Sequence, residues 1–173
     1  MTVVVTAPAE STDLVSLESA VAYLQISGAD QMQGLADLIS RASAACVSYL
    51  QRPLALQEYR ERIRVRGRMT AINLSIGPIA AIRSISVGGK ALTSLDELSI
   101  DRDKSRIEDV LSVGGICGMH HHGYDVEVMY VAGFLLPGMN APEANDSDVL
   151  PMAATPLPDD VAGGCLGTIQ LLR

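Results

Sequence analysis

Two groups of residues have types and spacing that could support chemistry, and the first is a histidine run. His120-His121-His122 follows Cys117 by three residues, and imidazole and thiolate are both zinc ligands. On a strand only His120 and His122 would share a face, which falls short of the four ligands of a structural zinc site. Because the neighbouring glycines predict a loop, we interpret the run as a solvated turn and predict no built-in metal site. The alternative is an adventitious or subunit-bridging metal.

The second group is a row of arginines at alternate positions: Arg60, Arg62, Arg64, Arg66 and Arg68. In a strand such side chains project from one face about 7 Å apart, and like charges at that distance repel by about 0.6 kcal/mol even in bulk water. The row therefore requires counter-charges, which neighbouring strands, another subunit or protein, or DNA could supply. DNA is disfavoured because the segment lacks stacking aromatic residues. The carboxylates of the same chain that could pair with these arginines are Asp96, Glu97, Asp101, Asp103, Glu108 and Asp109.

No recognisable catalytic motif accompanies these two groups of residues. The sequence has no GxSxG elbow, phosphate-binding loop, GxGxxG or HExxH pattern. Cys46 lies on the apolar face of a predicted helix and fits a small core residue. The acidic pair Asp159-Asp160 fits a helix start, and Asp146 with Asp148 fits a loop. The sequence therefore predicts a protein that is not an enzyme and needs no cofactor.

Composition narrows the functional classes further. The 173 residues suit one domain, or a core with an inserted subdomain. The formal net charge of -7 disfavours general nucleic-acid binding, since phosphate neutralisation needs a basic surface. The three cysteines are widely spaced without a CxxC pair, which fits a reducing cytoplasm. No apolar run approaches the about 18 residues of a membrane span, so we expect no membrane contact.

The secondary-structure elements that must position these residues start with two helices near the N-terminus. Residues 1–15 predict a flexible or strand-like arm, and residues 16–53 predict two helices, the first capped by Ser16. The second has apolar residues at i, i+3, i+4 and i+7 from Gln31 to Gln51. Pro53 ends it, because proline donates no backbone hydrogen bond and disfavours helical geometry in the residue before it.

After the helices the hydrophobic period changes to two. This alternation predicts a small antiparallel β subdomain over 54–134, with a hairpin turn at Gly88-Gly89. Residues 135–158 carry five prolines and predict a long loop, and 159–173 predict a glycine-containing helix. The resulting fold class is α+β, with a helical core from the N-terminal and C-terminal helices and the β subdomain inserted between them.

Several segments, taken in order, resemble tailed-phage head-tail connector (adaptor) proteins. The resemblance covers most of the chain, and the ordered set carries it more than any single segment. The segments are Val15-Ser16-Leu17-Glu18, Tyr23-Leu24-Gln25-Ile26, the helix end Val47-Ser48-Tyr49-Leu50-Gln51-Arg52-Pro53-Leu54, Leu74-Ser75-Ile76-Gly77-Pro78-Ile79, Ile85-Ser86-Val87-Gly88-Gly89, the strand from Val126 to Phe134, and Leu157-Pro158-Asp159-Asp160-Val161.

The resemblance implies a ring of subunits, commonly twelve, in the neck of a phage, prophage or gene transfer agent particle. Such a ring docks on the portal protein and supports the next component, a stopper or tail terminator, and it is assembled in the bacterial cytoplasm. DNA passes through its lumen without specific binding, which suits an acidic chain. The candidate contacts with other subunits or the portal are the arginine row and four residues of the last helix: Val161, Cys165, Ile169 and Leu172.

Two other functions remain open on the sequence alone. The main alternative is a small nucleic-acid-binding or regulatory module that uses the arginine-rich strand 60–68. Salt-dependent DNA binding that is lost when Arg62 and Arg64 become alanine would favour it. A weaker alternative is a metal-dependent hydrolase at His120–His122, which tightly bound stoichiometric zinc would favour.

Overall fold

The protein has two compact units, as a computed structural model describes it. The sheet unit comprises Met1–Pro8, Leu56–Gly133 and Pro142–Ala154, and the helical unit comprises Ala9–Ala55, Phe134–Ala141 and Thr155–Arg173. Within the described residues the chain forms three helices and ten strands, and this confirms the predicted α+β class. The described residues are 1–28, 34–65, 71–92, 98–110, 123–143 and 148–172.

The main sheet of the sheet unit has five strands in the order β1-β2-β8-β4-β5, and each neighbouring pair is antiparallel. The central strands are the longest, and β8 pairs with β2 on one side and β4 on the other. The strand-like alternative for the N-terminal arm is the one observed, since β1 pairs along β2. The bounds are β1 Thr2–Ala7, β2 Gln57–Val65, β4 Ile79–Val87, β5 Lys90–Ala91 and β8 Tyr124–Ala132.

A second, three-stranded sheet in the same unit has the order β3-β7-β6, with β3 Ala71–Asn73, β6 Ser99–Asp101 and β7 Arg106–Glu108. The polar residues Arg102-Asp103-Lys104-Ser105 form the turn between β6 and β7. The predicted hairpin at Gly88-Gly89 is also confirmed, because Val87 pairs with Lys90 across these two residues. Both glycines have positive φ, 59° and 82°, which is the geometry that a two-residue hairpin turn requires.

Alternation along the strands determines which side chains form the core of the sheet unit. Val126, Val128 and Tyr130 of β8 are fully buried. Tyr59 and Val65 of β2 and Ile85 of β4 join them in one cluster. Every second side chain therefore points inward, as expected for a sheet with one covered face.

Residues 148–154 run beside β4 and are held there by two arginines. The Arg83 guanidinium forms ion pairs with Asp148 and with Glu58. Arg102 donates to the carbonyl oxygen of Pro151 at 2.8 Å. An isolated bridge between Ile82 and Leu150 adds backbone pairing, so this segment is anchored at several points along its length.

The helical unit contains α1 (Leu17–Leu24), α2 (Leu35–Leu50) and α3 (Asp159–Leu172). The predicted cap of α1 is confirmed, because the Ser16 side chain accepts a hydrogen bond from the Ser19 amide at 3.1 Å. α2 ends at Leu50, one residue before the predicted end, because Gln51 adopts a left-handed conformation. The predicted start at Gln31 lies outside the described residues.

A short parallel pair of strands completes the helical unit. β9 (Phe134–Leu135) pairs with β10 (Thr155–Pro156), and Ala55 forms a bridge to Phe134. These strands lie beside the core that the helices build around Leu35, Ile39 and Ala42 of α2. The helical unit thus has its own hydrophobic core, formed by segments that are distant in sequence.

Candidate assembly surfaces

The arginine row occupies the outward face of β2. Arg60, Arg62 and Arg64 are exposed, while the residues between them point toward the core. On β8, Asp125 pairs in register with Arg64, and Glu127 pairs with Arg62. Directly opposite residues in an antiparallel pair share a face, so the three arginines and two carboxylates form one surface with a formal charge of 3 - 2 = +1. Arg66 and Arg68 lie outside the described residues.

Asp125 supplies most of the counter-charge. Its two carboxylate oxygens accept hydrogen bonds from Arg62 at 2.6 Å and from Arg64 at 3.1 Å. These two hydrogen bonds hold the pKa of Asp125 below its usual range, and the bond to Asp125 raises the pKa of Arg62. The arginine side chains remain more than half exposed, so solvent screens the pairs and they add little stability. Their effect is to reduce the positive potential of the face.

The lowered pKa of Asp125 can be tested by titration. The pKa of Asp125 is expected to lie below its ordinary value, and replacing Arg62 and Arg64 by alanine should raise it back toward that value. Because the folded-state pKa is depressed, the associated stability is present above the ordinary pKa and is lost as pH falls through the folded value. Carboxyl carbon NMR against pH measures the shift. Arg60→Ala is the control, since Arg60 lies opposite Met129 and should leave the Asp125 titration unchanged.

The inward face of β2 carries a fully buried carboxylate, Glu61. It accepts hydrogen bonds from the Tyr130 hydroxyl at 2.7 Å, the Ser75 hydroxyl at 2.7 Å and the Ser75 amide at 3.0 Å. Burial, and then the bond to Glu61, raise the pKa of Tyr130. Tyr59 lies beside Tyr130, with ring centroids 5.7 Å apart, and burial raises its pKa to about 12. Glu61, Tyr59 and Tyr130 are buried while Ser75 is exposed, so the network ties the core of the sheet unit to a residue on its surface.

The four candidate contacts of the last helix lie at different depths. Cys165 and Ile169 are fully buried in the core of the helical unit, Val161 is half-buried and Leu172 is exposed. Burial also raises the pKa of the Cys165 thiol to about 11. In this state α3 uses Cys165 and Ile169 to pack on its own chain, and Leu172 is available to other molecules.

Two side-chain contacts fix the direction of α3 relative to α2. The Ser43 hydroxyl lies 3.7 Å from the Cys165 sulfur, and the Cys46 sulfur lies 4.0 Å from the Thr168 hydroxyl. Moving forward along α2 therefore moves forward along α3, and both contacts have a sequence separation of 122 residues. The two helices run in the same direction, with their carboxyl ends at the same end of the pair.

The histidine run and Cys117 lie outside the described residues, so the proposed turn stays a prediction. Among the residues that the structure does describe, no three His, Cys, Asp or Glu side chains come together in a way that could hold a metal ion. Over the same part of the chain, no helix has the length and apolar character needed to cross a membrane.

No protein-family model matches this sequence, and no curated protein matches it. Solved structures do share its fold. One is a chain of the neck of an empty GTA particle computed with C6 symmetry, with 18% sequence identity. Another is a chain of the virion of a native gene transfer agent (GTA) particle, with 17% identity. In each case the match covers 99% of this chain and 84% of the other, with a TM-score of 0.61.

Sequence reasoning missed the acid that pairs with the arginines. The intramolecular carboxylates considered for the row did not include Asp125. Of those considered, Asp101 pairs with Lys104 and Glu108 with Arg106 instead. The alternation of Asp125 and Glu127 with apolar residues on a predicted strand was the available signal, but it becomes informative only once β8 is known to pair with β2.

Proposed function

We propose that this chain is a structural head-tail connector (adaptor) subunit of a phage or phage-like particle. It would form a ring, commonly of twelve copies, between the portal protein and a stopper or tail-terminator protein. The observation that carries the proposal is the fold likeness to a chain from the neck of a GTA particle, which spans 99% of this chain. The ordered sequence segments that resemble connector proteins support it independently of the fold comparison.

The proposed role needs no chemistry from the protein. The ring would give DNA a passage in the neck of the virion after assembly in the bacterial cytoplasm, and it would act as neither an enzyme nor a specific DNA-binding protein. The net charge of -7 supports free passage, because an acidic lining repels the DNA backbone. No cofactor enters this role.

We also propose that the helical unit is the structural core and the sheet unit an insertion into it. The segments of the helical unit lie on both sides of residues 56–133 in the sequence, which supports this division. A ring subunit must offer two different surfaces to its neighbours. The outward face of β2 and the exposed part of α3 are the surfaces that we assign to contacts with other subunits or the portal.

The alternative of a nucleic-acid-binding module is less well supported by the geometry. Asp125 and Glu127 leave the β2 face with a net charge of only +1 over the described arginines. DNA-binding surfaces gain their affinity by neutralising many phosphates at once. A face whose positive charge is so largely compensated by carboxylates would bind DNA weakly at physiological salt.

Imaging of particles tests the proposal. Cryo-electron microscopy of particles that contain the chain should show a collar of about twelve copies under the portal, and particles that lack it should fail to hold a tail. Mass measurement of the purified chain with and without portal protein should show multimers on the portal. A particle without such a collar would contradict the proposal. So would salt-dependent DNA binding by the isolated chain that disappears in the Arg62→Ala, Arg64→Ala variant.

A further inference from the structure

One edge of the five-stranded sheet is formed by β1. This strand pairs with β2 on one side, and it stands first in the strand order, so no strand among the described residues pairs with its other side. The backbone N–H and C=O groups on the outer side of an edge strand can accept another strand. β1 therefore offers a row of backbone groups to a partner that is itself extended.

The two edges of this sheet differ in their protection against strand addition. β5, at the opposite edge, has only two residues and begins with Lys90. A short edge strand and an edge lysine both hinder pairing with another chain. β1 has six residues, TVVVTA, without a charge or a proline. Its pairing with β2 is regular except between Val5 and Ala7, so β1 is the edge that is open to a further strand.

The core side of β1 is incompletely covered. Val5 lies opposite the buried Tyr59 of β2, and directly opposite residues share a face of the sheet. Val5 therefore points to the core side, as Val3 does, and Val3 packs against the core of the sheet unit. Yet Val5 is 44% exposed. One more strand beside β1 would cover this side chain with an apolar neighbour.

The order of residues in β1 favours a second copy of the same strand as the partner. From Thr2 to Thr6 the sequence TVVVT reads the same in both directions. Antiparallel pairing centred on Val4 therefore places Val3 of each copy opposite Val5 of the other. Cross-strand pairs of β-branched side chains stabilise a sheet, and β1 brings no charge into this contact. The exposed Val5 of both copies would be covered at once.

We propose that two copies of this chain pair antiparallel through β1, around a two-fold axis at Val4, so that their five-stranded sheets join into one continuous sheet. The inference goes beyond the proposed function. Neighbouring subunits of a ring contact each other through two different surfaces, whereas this contact uses the same surface on both copies. The pairing therefore belongs to the chain before it enters a ring, and it keeps an apolar strand edge covered in that state.

Sedimentation of the purified chain over a range of concentrations tests the pairing. The contact is small beside the about 20–30 residues per side of a standard interface, so we expect a weak, concentration-dependent dimer. Val4→Lys places two lysines opposite each other at the axis and should raise the dissociation constant about tenfold or more, because like charges directly opposite destabilise a strand pair. Ser84→Lys is the matched control. It adds the same charge at an exposed position of β4, a strand inside the sheet, and should change the constant by no more than about twofold. Circular dichroism of each variant verifies folding.

Isotope-filtered NMR on a mixture of labelled and unlabelled wild-type chains tests the register without any substitution. The expected contacts between copies join Val4 to Val4 and Val3 to Val5. A chain that stays monomeric up to about 1 mM would overturn the inference, as would a dimer whose contacts lie outside β1 or one that both lysine variants weaken equally. Each of these outcomes leaves the proposed ring untouched. Particles without a collar would contradict the proposed function and not the pairing of β1.

Discussion

Replacing Glu61 by alanine is expected to lower the free energy of unfolding of the sheet unit by about 3–5 kcal/mol. Glu61 is fully buried and accepts three hydrogen bonds from Tyr130 and Ser75. The substitution removes the acceptor of all three donors and leaves a cavity. The Tyr130 hydroxyl then becomes a buried donor without a partner, which costs about 1–3 kcal/mol, whereas Ser75 is exposed and can bond to water. The lost packing around position 61 adds to the cost. Equilibrium denaturation of the purified chain measures the change.

Two tyrosines in contact provide matched controls for this prediction. Tyr130→Phe removes one donor to Glu61 and should cost about 1–2 kcal/mol. Tyr59→Phe removes a hydroxyl that is buried without a hydrogen-bond partner among the described residues, so it should be neutral or slightly stabilising. The rings are neighbours of the same type, so the difference between the variants isolates the hydrogen bond. Equal costs for the two substitutions, or a loss below about 1 kcal/mol for Glu61→Ala, would contradict the network's role.

The elements that the sequence predicts well are those whose signals are local. The Gly88-Gly89 hairpin requires two residues with positive φ, and glycine meets that requirement at low cost wherever it lies. Ser16 caps α1 through the amide three residues later. In both cases the residues that specify the geometry are within a few positions of each other, so the sequence pattern predicts the local structure without knowledge of the fold.

The candidate surfaces depended on pairings over long sequence distances. The arginine row was recognised from spacing alone, but its partner Asp125 lies about 60 residues away and becomes adjacent only through the β2–β8 register. The same alternation places Glu61 on the opposite face of that strand from the arginines. Its burial and its bonds to Ser75 and Tyr130 depend on how distant strands pack. Alternation predicts which face a side chain takes, but not what covers that face.

The direction of α3 relative to α2 was another feature that local patterns could not provide. The apolar period of each helix predicts a buried stripe, but it contains no information about which helix the stripe meets or in which direction that helix runs. Contacts of Ser43 with Cys165 and of Cys46 with Thr168 supply both.

Replacing Gly163, Gly164 and Gly167 together by alanine is expected to stabilise the helical unit by about 2–3 kcal/mol. All three lie inside α3, where glycine is less favourable than alanine by about 0.8–1.0 kcal/mol per residue. A methyl group added at any of the three meets no atom within 4 Å. The gain in helix propensity is therefore not offset by a clash. Thermal and denaturant unfolding followed by circular dichroism measures the gain.

Gly138 is the matched control, because it differs from the three helical glycines in backbone conformation and not in space. A methyl group there also meets nothing within 4 Å, but its φ is +78°, a conformation that costs an alanine about 1–2 kcal/mol. Gly138→Ala should therefore destabilise the unit while the triple variant stabilises it. Destabilisation by the triple variant would mean that the α3 glycines have contacts that this conformation lacks.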